Sequence, residues 1–276
     1  MRPSASVPSR VGLEVCVDSA SGIAAAVENG ADRIELCAAL SEGGLTPSKG
    51  MMELASLATI PVRAMIRPRG GNFVFGATEI EVMRRDIEQA ASSRIEGVVL
   101  GCNTASGELE EIVLRTLVRH AQGFGLKVTL HRSFDLVPDP LHALAIAADL
   151  RIDTILTSGL QATAPAGIDV IAKLVSTTRS RGGRAAVEIM AGSGVTPSTV
   201  DHIVARTHVP FVHASCSRAR PDNDDAGDLL GLYSPARRET DPLLIAQLRQ
   251  AIDRSAQARL QRAPDPIDAD TEPLTR

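Results

Sequence analysis

The chain has 276 residues, 44% hydrophobic and 22% charged, with a net charge of -4 at pH 7, which suits one large α/β domain or two small ones and leaves no basic footprint for nucleic acid. With one Tyr, five Phe and no Trp it has few platforms on which bases or sugars could stack. No apolar run approaches the roughly 20 residues of a membrane span, the opening MRPSASVPSRVG lacks a signal-peptide core, and the four cysteines (Cys16, Cys37, Cys102, Cys216) form no CxxC pair, so the composition reads as a reduced, cytoplasmic protein without a zinc ribbon or disulfide framework.

Residues 1–11 are Pro/Ser-rich and read as a disordered N-terminus. The next stretch, Leu13 to Ser48, carries a strand, a short helix closed by Gly30, and a second strand, which makes a βαβ unit with parallel strands. Both strands alternate. Side chains in a strand point to opposite faces with a period of two, so Glu14 and Cys16 share one face and Leu13, Val15 and Val17 the other. Glu35 and Cys37 share a face in the same way, opposite Ile34 and Leu36. With the aliphatic face under helices, the Glu and Cys side chains face the interior of a closed sheet.

Further strands are expected at 61–67, 97–102, 127–133, 154–158, 185–190 and 210–215, after those at 13–18 and 32–37. Helices are expected near 19–29, 48–58, 78–93, 108–122, 139–148, 166–180 and 197–206. Eight strands alternating with helices predict an α/β fold of the (β/α)8 TIM-barrel type, a single domain over 12–260. A doubly wound open sheet is the weaker reading, because GxGxxG is missing after the first strand. Arg218 to Glu239 reads as a long polar loop. Asp241-Pro242 opens a C-terminal helix to about Leu260, and 261–276 reads as a disordered tail.

Active sites of such barrels lie at the C-terminal ends of the strands. Polar residues late in a strand and on its inward parity are therefore the candidates. They are Glu14, Cys16, Glu35 and Cys37, then Arg67 with Arg69 in the loop beyond, then His131 with Ser133 and Asp135, then Glu188, and finally His213 and Ser215. Glu14, Glu35, His131, Asp135 and His213 are the residue types that exchange protons in acid–base catalysis. Each has a plainer alternative: Glu14 or Glu35 balances Arg33 or Arg67, Glu188 pairs with a neighbouring Arg, and a buried Cys acts as a small hydrophobe. Adjacent parallel strands lie about 4.8 Å apart, so Cys16 and Cys37 could reach one soft ion, and two thiolates suit Cu(I). Gly192-Ser193-Gly194 after strand seven and Ser215 after strand eight stand where these barrels often hold phosphate, or form a tight turn. Arg67 and Arg69 in RPRGG could clamp a small anion, or cap the third strand. No Lys falls late on an inward strand position, which argues against Schiff-base chemistry.

The segments LEVCVDS, NGADRIELCAALSEGGLTPS, IRPRGGNF, HRSFD, ILTSG, MAGSGV and VHASC, in order across about residues 11–260, resemble the CutC family. The resemblance implies a cytosolic (β/α)8 barrel that forms a homodimer or higher homo-oligomer. It also implies a link to copper homeostasis, with Cys16 and Cys37 as Cu(I) ligand candidates. The family's histidine segment is usually HRAFD, so Ser133 stands where Ala is usual, and Glu188 stands where an aliphatic residue is expected. Two functions follow: a Cu(I)-handling protein, or a lyase- or isomerase-like enzyme for a small phosphorylated or carboxylated metabolite. In the enzyme, Glu14 or Glu35 would be the base, His131 the acid and Arg67 the anion clamp.

Overall fold

A computed structural model describes residues 10–181, 187–221 and 236–262. The expected disordered ends lie almost wholly outside the described residues, as do 185–186 of the expected seventh strand. Eight parallel strands close into a barrel in chain order, with the last strand pairing back on the first. They are β1 Gly12–Val17, β2 Arg33–Leu36, β3 Val62–Met65, β4 Gly97–Leu100, β5 Lys127–Leu130, β6 Thr154–Thr157, β7 Glu188–Gly192 and β8 Phe211–Ala214. The helices between them are α1 Ala20–Glu28, α2 Lys49–Ala55, α3 Ala77–Ser92, α4 Glu111–Gly123, α5 Pro140–Asp149, α6 Ile168–Arg181 and α7 Val200–Thr207. Local chemistry sets their starts. Ser19 caps α1 by accepting the Gly22 N–H, and Asp139 caps α5 ahead of Pro140 in the first turn.

The period-two pattern of the strands divides their side chains between two environments. Leu13, Val15, Ile34, Leu36, Val98, Leu100, Val128 and Ile189 join the helices in one large apolar cluster outside the sheet. Inside it, Cys37, Met65 and Val99 form a separate small cluster. The lower interior is polar but paired. Arg63 donates to Thr129 Oγ1 (2.6 Å) and Thr154 Oγ1 (2.9 Å) and pairs with Glu96. Arg33 binds Glu14, lies 3.8 Å from Glu188 and stacks over Phe211. The barrel is thus a packed core whose free polar groups are left for its upper end.

The final helix, α8 Pro242–Arg262, packs between α7 and α1. Its Arg249 reaches the barrel floor, pairing with Asp32 (2.8 Å) and donating to the Val11 carbonyl (3.0 Å). Two expectations need correction. The segment expected as a long loop has paired ends: β9 Ser217–Pro221 and β10 Ala236–Thr240 form an antiparallel ladder. This two-stranded ladder is separate from the barrel sheet, so it carries no alternating apolar signal. The fifth strand stops at Leu130 rather than 133, because Arg132–Leu136 turns into a 3₁₀ helix that His131 caps.

Candidate functional site at the C-terminal mouth

Glu14 sits mid-barrel on β1, level with Arg33 on β2 and His213 on β8. Its side chain is fully buried. One carboxylate oxygen accepts from Arg33 Nε and the other lies 2.8 Å from His213 Nδ1. Burial alone would raise its pKa, but the Arg33 and His213 charges outweigh it and hold Glu14 at about 2. This is the ion pair that sequence parity offered as the plainer alternative, extended to a histidine. The position of Glu188 is similar, since it faces Arg33 and Thr154.

Two residues up the strands, register decides the chemistry. Cys16 lies opposite Glu35, not opposite Cys37. The donor atoms of Cys16, Glu35 and His213 all lie within 4.8 Å of one another, and they form the one such group of metal-binding residue types among the described residues. Cys37 stands one inward position higher and donates its thiol hydrogen to Glu35 Oε2 at 3.6 Å. Burial, then Glu35, pushes the Cys37 thiol well above its ordinary range. Burial also raises Glu35, with Glu14 adding to the effect against the pull of His213. Burial works against the imidazolium of His213, yet Glu35 and Cys16 prevail and raise its pKa well above 6.5. Two carboxyls a strand apart are therefore pushed in opposite directions.

Across the mouth, His131 caps the 3₁₀ turn by accepting the Ser133 N–H at Nδ1 (3.1 Å), which places the ring proton on Nε2. Burial and the nearby Arg67 push its pKa down to about 3, so the ring is neutral. Arg67 is held by three carbonyls, those of Glu42, Gly44 and Gly71. It thereby ties the β2–α2 loop to the β3–α3 loop. Glu35 Oε1, Arg67 Nε, Asn103 Oδ1, His131 Nε2 and Ser133 Oγ are buried and without hydrogen-bond partners. Unmade hydrogen bonds of this kind cost about 1–3 kcal/mol each, so five at one end of a barrel point to ligand binding.

The other candidates are bound up in shaping loops. Asp135 accepts from Arg132, Thr157, Ser158 and Leu160, which clamps the β6–α6 loop and leaves no face for a substrate. Arg69 pairs with Glu79 and donates to the carbonyls of Gly70, Asn72 and Val74. Ser193 takes φ 70° and Gly194 φ 70°, while Ser193 Oγ donates to the Ala162 carbonyl (2.8 Å), so the GSG turn braces the neighbouring loop. A Cβ on Gly192 would lie 2.5 Å from Leu156 Cδ1, so a side chain there would force that leucine to move. Ser215 is exposed and accepts from Ser217 Oγ. The sequence reading passed over Asn103, whose amide nitrogen braces the Ser133 carbonyl (3.1 Å), and Gly101 below it. Carrying the inward parity of β4 from Val99 through Gly101 to 103 would have found both.

Fold and mouth together define a (β/α)8-barrel protein with a buried cluster of sulfur, nitrogen and oxygen donors where such barrels keep their sites. A family model described as the CutC family matches residues 11–218. A CutC family protein of Rhizobium meliloti is 48% identical over 248 residues, covering 90% of this chain and 98% of its own. Another, from Caulobacter vibrioides, is 43% identical over 88% of this chain and 97% of its own. A solved CutC structure from Streptococcus agalactiae, described as a candidate copper homeostasis protein, superposes with a TM-score of 0.68 at 30% identity, covering 74% of this chain and 98% of that one. This chain belongs to the CutC family. A phosphoribosylanthranilate isomerase from Thermotoga maritima shares the fold alone, with a TM-score of 0.54 at 14% identity over 88% of this chain and 98% of that one.

Proposed function

We propose that this chain binds copper at the barrel mouth through Cys16, Glu35 and His213, and handles it in the cytosol. The observation that carries the reading is the convergence of three donor atoms from three strands within 4.8 Å. The copper assignment draws on the description of the Streptococcus agalactiae relative. One thiol, one imidazole and one carboxylate make a borderline set, so Cu(I) would also draw on the Cys37 sulfur beside Glu35. Binding must displace the proton that Glu35 and Glu14 hold on His213, so affinity falls as pH falls. The four cysteines are free and buried, as suits a reducing compartment. Among the described residues no helix is long and apolar enough to cross a membrane. As a homo-oligomer the chain would cover exposed apolar side chains such as Leu57 and Ile112, which sedimentation of the intact protein would check.

The test is an anaerobic Cu(I) titration against a competing chelator. Wild type should bind tightly, Cys16→Ser should lose most of that affinity, and Cys37→Ser should lose less. Affinity indifferent to Cys16 defeats the proposal.

A second reading, acid–base catalysis on a small phosphorylated or carboxylated metabolite, draws support from one observation. Glu14 is held at about 2 while neighbouring Glu35 is raised and keeps an unpartnered oxygen. Environments that push paired groups apart assign acid and base roles. Here Glu35 would exchange the proton while Glu14 stays ionised to orient His213. A screen of such metabolites, with Glu35→Gln and His131→Ala as controls, would show turnover that both changes abolish.

A further inference from the structure

Opposite the Cys16–Glu35–His213 cluster, three hydrogen-bond donors lack acceptors. Arg67 is 5%, His131 4% and Ser133 0% exposed, and Arg67 Nε, His131 Nε2 and Ser133 Oγ have no partner. All three sit at the C-terminal ends of β3 and β5. Their remaining polar atoms are already committed, which fixes their orientation. Three backbone carbonyls hold both terminal nitrogens of Arg67, and the Ser133 N–H occupies His131 Nδ1. The ring of Phe73 joins them, its centroid 4.7 Å from the His131 ring and 4.7 Å from the Arg67 guanidinium carbon.

A glycine between β3 and β5 lets these side chains pack together. Gly101 follows β4, and a Cβ there would lie 2.3 Å from Ser133 Oγ and 2.6 Å from His131 Cε1. Only glycine lets the histidine and the serine lie against the barrel wall at this point.

We infer that Arg67 Nε, His131 Nε2 and Ser133 Oγ form a pocket for the carboxylate of a small hydroxy or keto acid. Three donors, one of them charged, match a planar monoanion. A phosphate, with more oxygens and more charge, would leave several of its acceptors unpaired here. The Phe73 ring gives the ligand's carbon skeleton an apolar wall. The His131 Nε2–H can be donated as a hydrogen bond without being transferred, so it would also stabilise an enolate oxygen should one form. The pocket needs no metal, since none of its donors belongs to the Cys16 cluster. It deepens the acid–base reading by naming the substrate class, and it can be tested apart from that reading.

The experiment titrates metal-free full-length protein with glycolate, and separately with inorganic phosphate. Calorimetry gives affinity, and nitrogen-15 NMR of labelled histidine reports on His131. Glycolate should bind, shift the His131 Nε2 resonance and bind five- to tenfold more weakly to Ser133→Ala, the factor expected for one net hydrogen bond. Ser133 Oγ makes no bond in the free protein, so this variant should fold and melt no lower than wild type. His131→Phe, which keeps a ring beside Phe73, should abolish binding. If that variant does not fold, the wild-type resonance and Ser133→Ala decide the matter. A silent Nε2 resonance at millimolar glycolate, affinity unchanged in Ser133→Ala, or phosphate binding as well as glycolate would overturn the inference. Glycolate binding retained in Glu35→Gln keeps the pocket even if no turnover is found.

Discussion

Replacing Glu14 with Gln tests the electrostatic floor on which the mouth is built. The carboxylate is fully buried between Arg33 and His213 and is held at about 2 against an ordinary 4.5. Lowering a pKa by that amount corresponds to about 3 kcal/mol of folding stability at neutral pH. The folded-state value is the lower one, so the contribution is complete above the unfolded value of 4.5 and is lost as pH falls toward 2. Glu14→Gln also strands two cations, and breaking a buried pair costs about 3–5 kcal/mol. Arg33 keeps Glu188 at 3.8 Å and His213 is free to shed its proton, so the lower end of that range is expected. The assay is urea unfolding at pH 7 and pH 3, followed by circular dichroism because the chain has no Trp. The variant should lose about 3 kcal/mol at pH 7, with the gap roughly halved at pH 3. A loss below about 1 kcal/mol at pH 7, or an equal loss at both pH values, would refute the reasoning.

Three further outcomes follow from the same geometry. His131, pushed to about 3, should show no protonation in an NMR titration from pH 7 down to pH 5; a midpoint near the ordinary 6.5 would contradict its burial. Because the unfolded ring charges below 6.5 and the folded one does not, this residue should cost about 1.4 kcal/mol of stability per pH unit as pH falls from 6.5 toward 3. Gly101→Ala should destabilise by about 1–3 kcal/mol through overpacking and disturb the His131 resonances, since its Cβ meets Ser133 and His131; a silent spectrum would deny the contact. Asp135→Asn should expose the β6–α6 loop to limited proteolysis while leaving glycolate affinity within about twofold, because its carboxylate bonds to that loop and to Arg132 and to none of the three donors.

Much of this architecture was legible in the chain. The period-two pattern of Leu13–Val17 and Arg33–Cys37 already separates an aliphatic outer face from Glu14, Cys16, Glu35 and Cys37 inside. Alternation of eight such runs with helices is enough for the barrel, because each pattern reports local burial. What pattern cannot report is register across strands. Periodicity puts Cys16 and Cys37 on one inner surface, but the stagger of the barrel sets Cys16 against Glu35 and draws in His213 from the far end of the chain. Loop residues were harder still. Asp135 and Arg69 look like site residues because they are charged and late, yet they serve neighbouring backbone groups whose positions depend on the whole fold. The direction of a pKa is set the same way: Glu14 and Glu35 carry the same carboxyl and diverge because one has Arg33 and His213 within bonding distance.

The central claim is that the mouth holds a metal between Cys16, Glu35 and His213. X-ray absorption spectroscopy of the copper-loaded protein addresses it most directly. The account predicts a first shell with sulfur plus nitrogen or oxygen, losing sulfur in Cys16→Ser and nitrogen in His213→Gln. A shell without sulfur, or one unchanged in both variants, would place the copper elsewhere and contradict it.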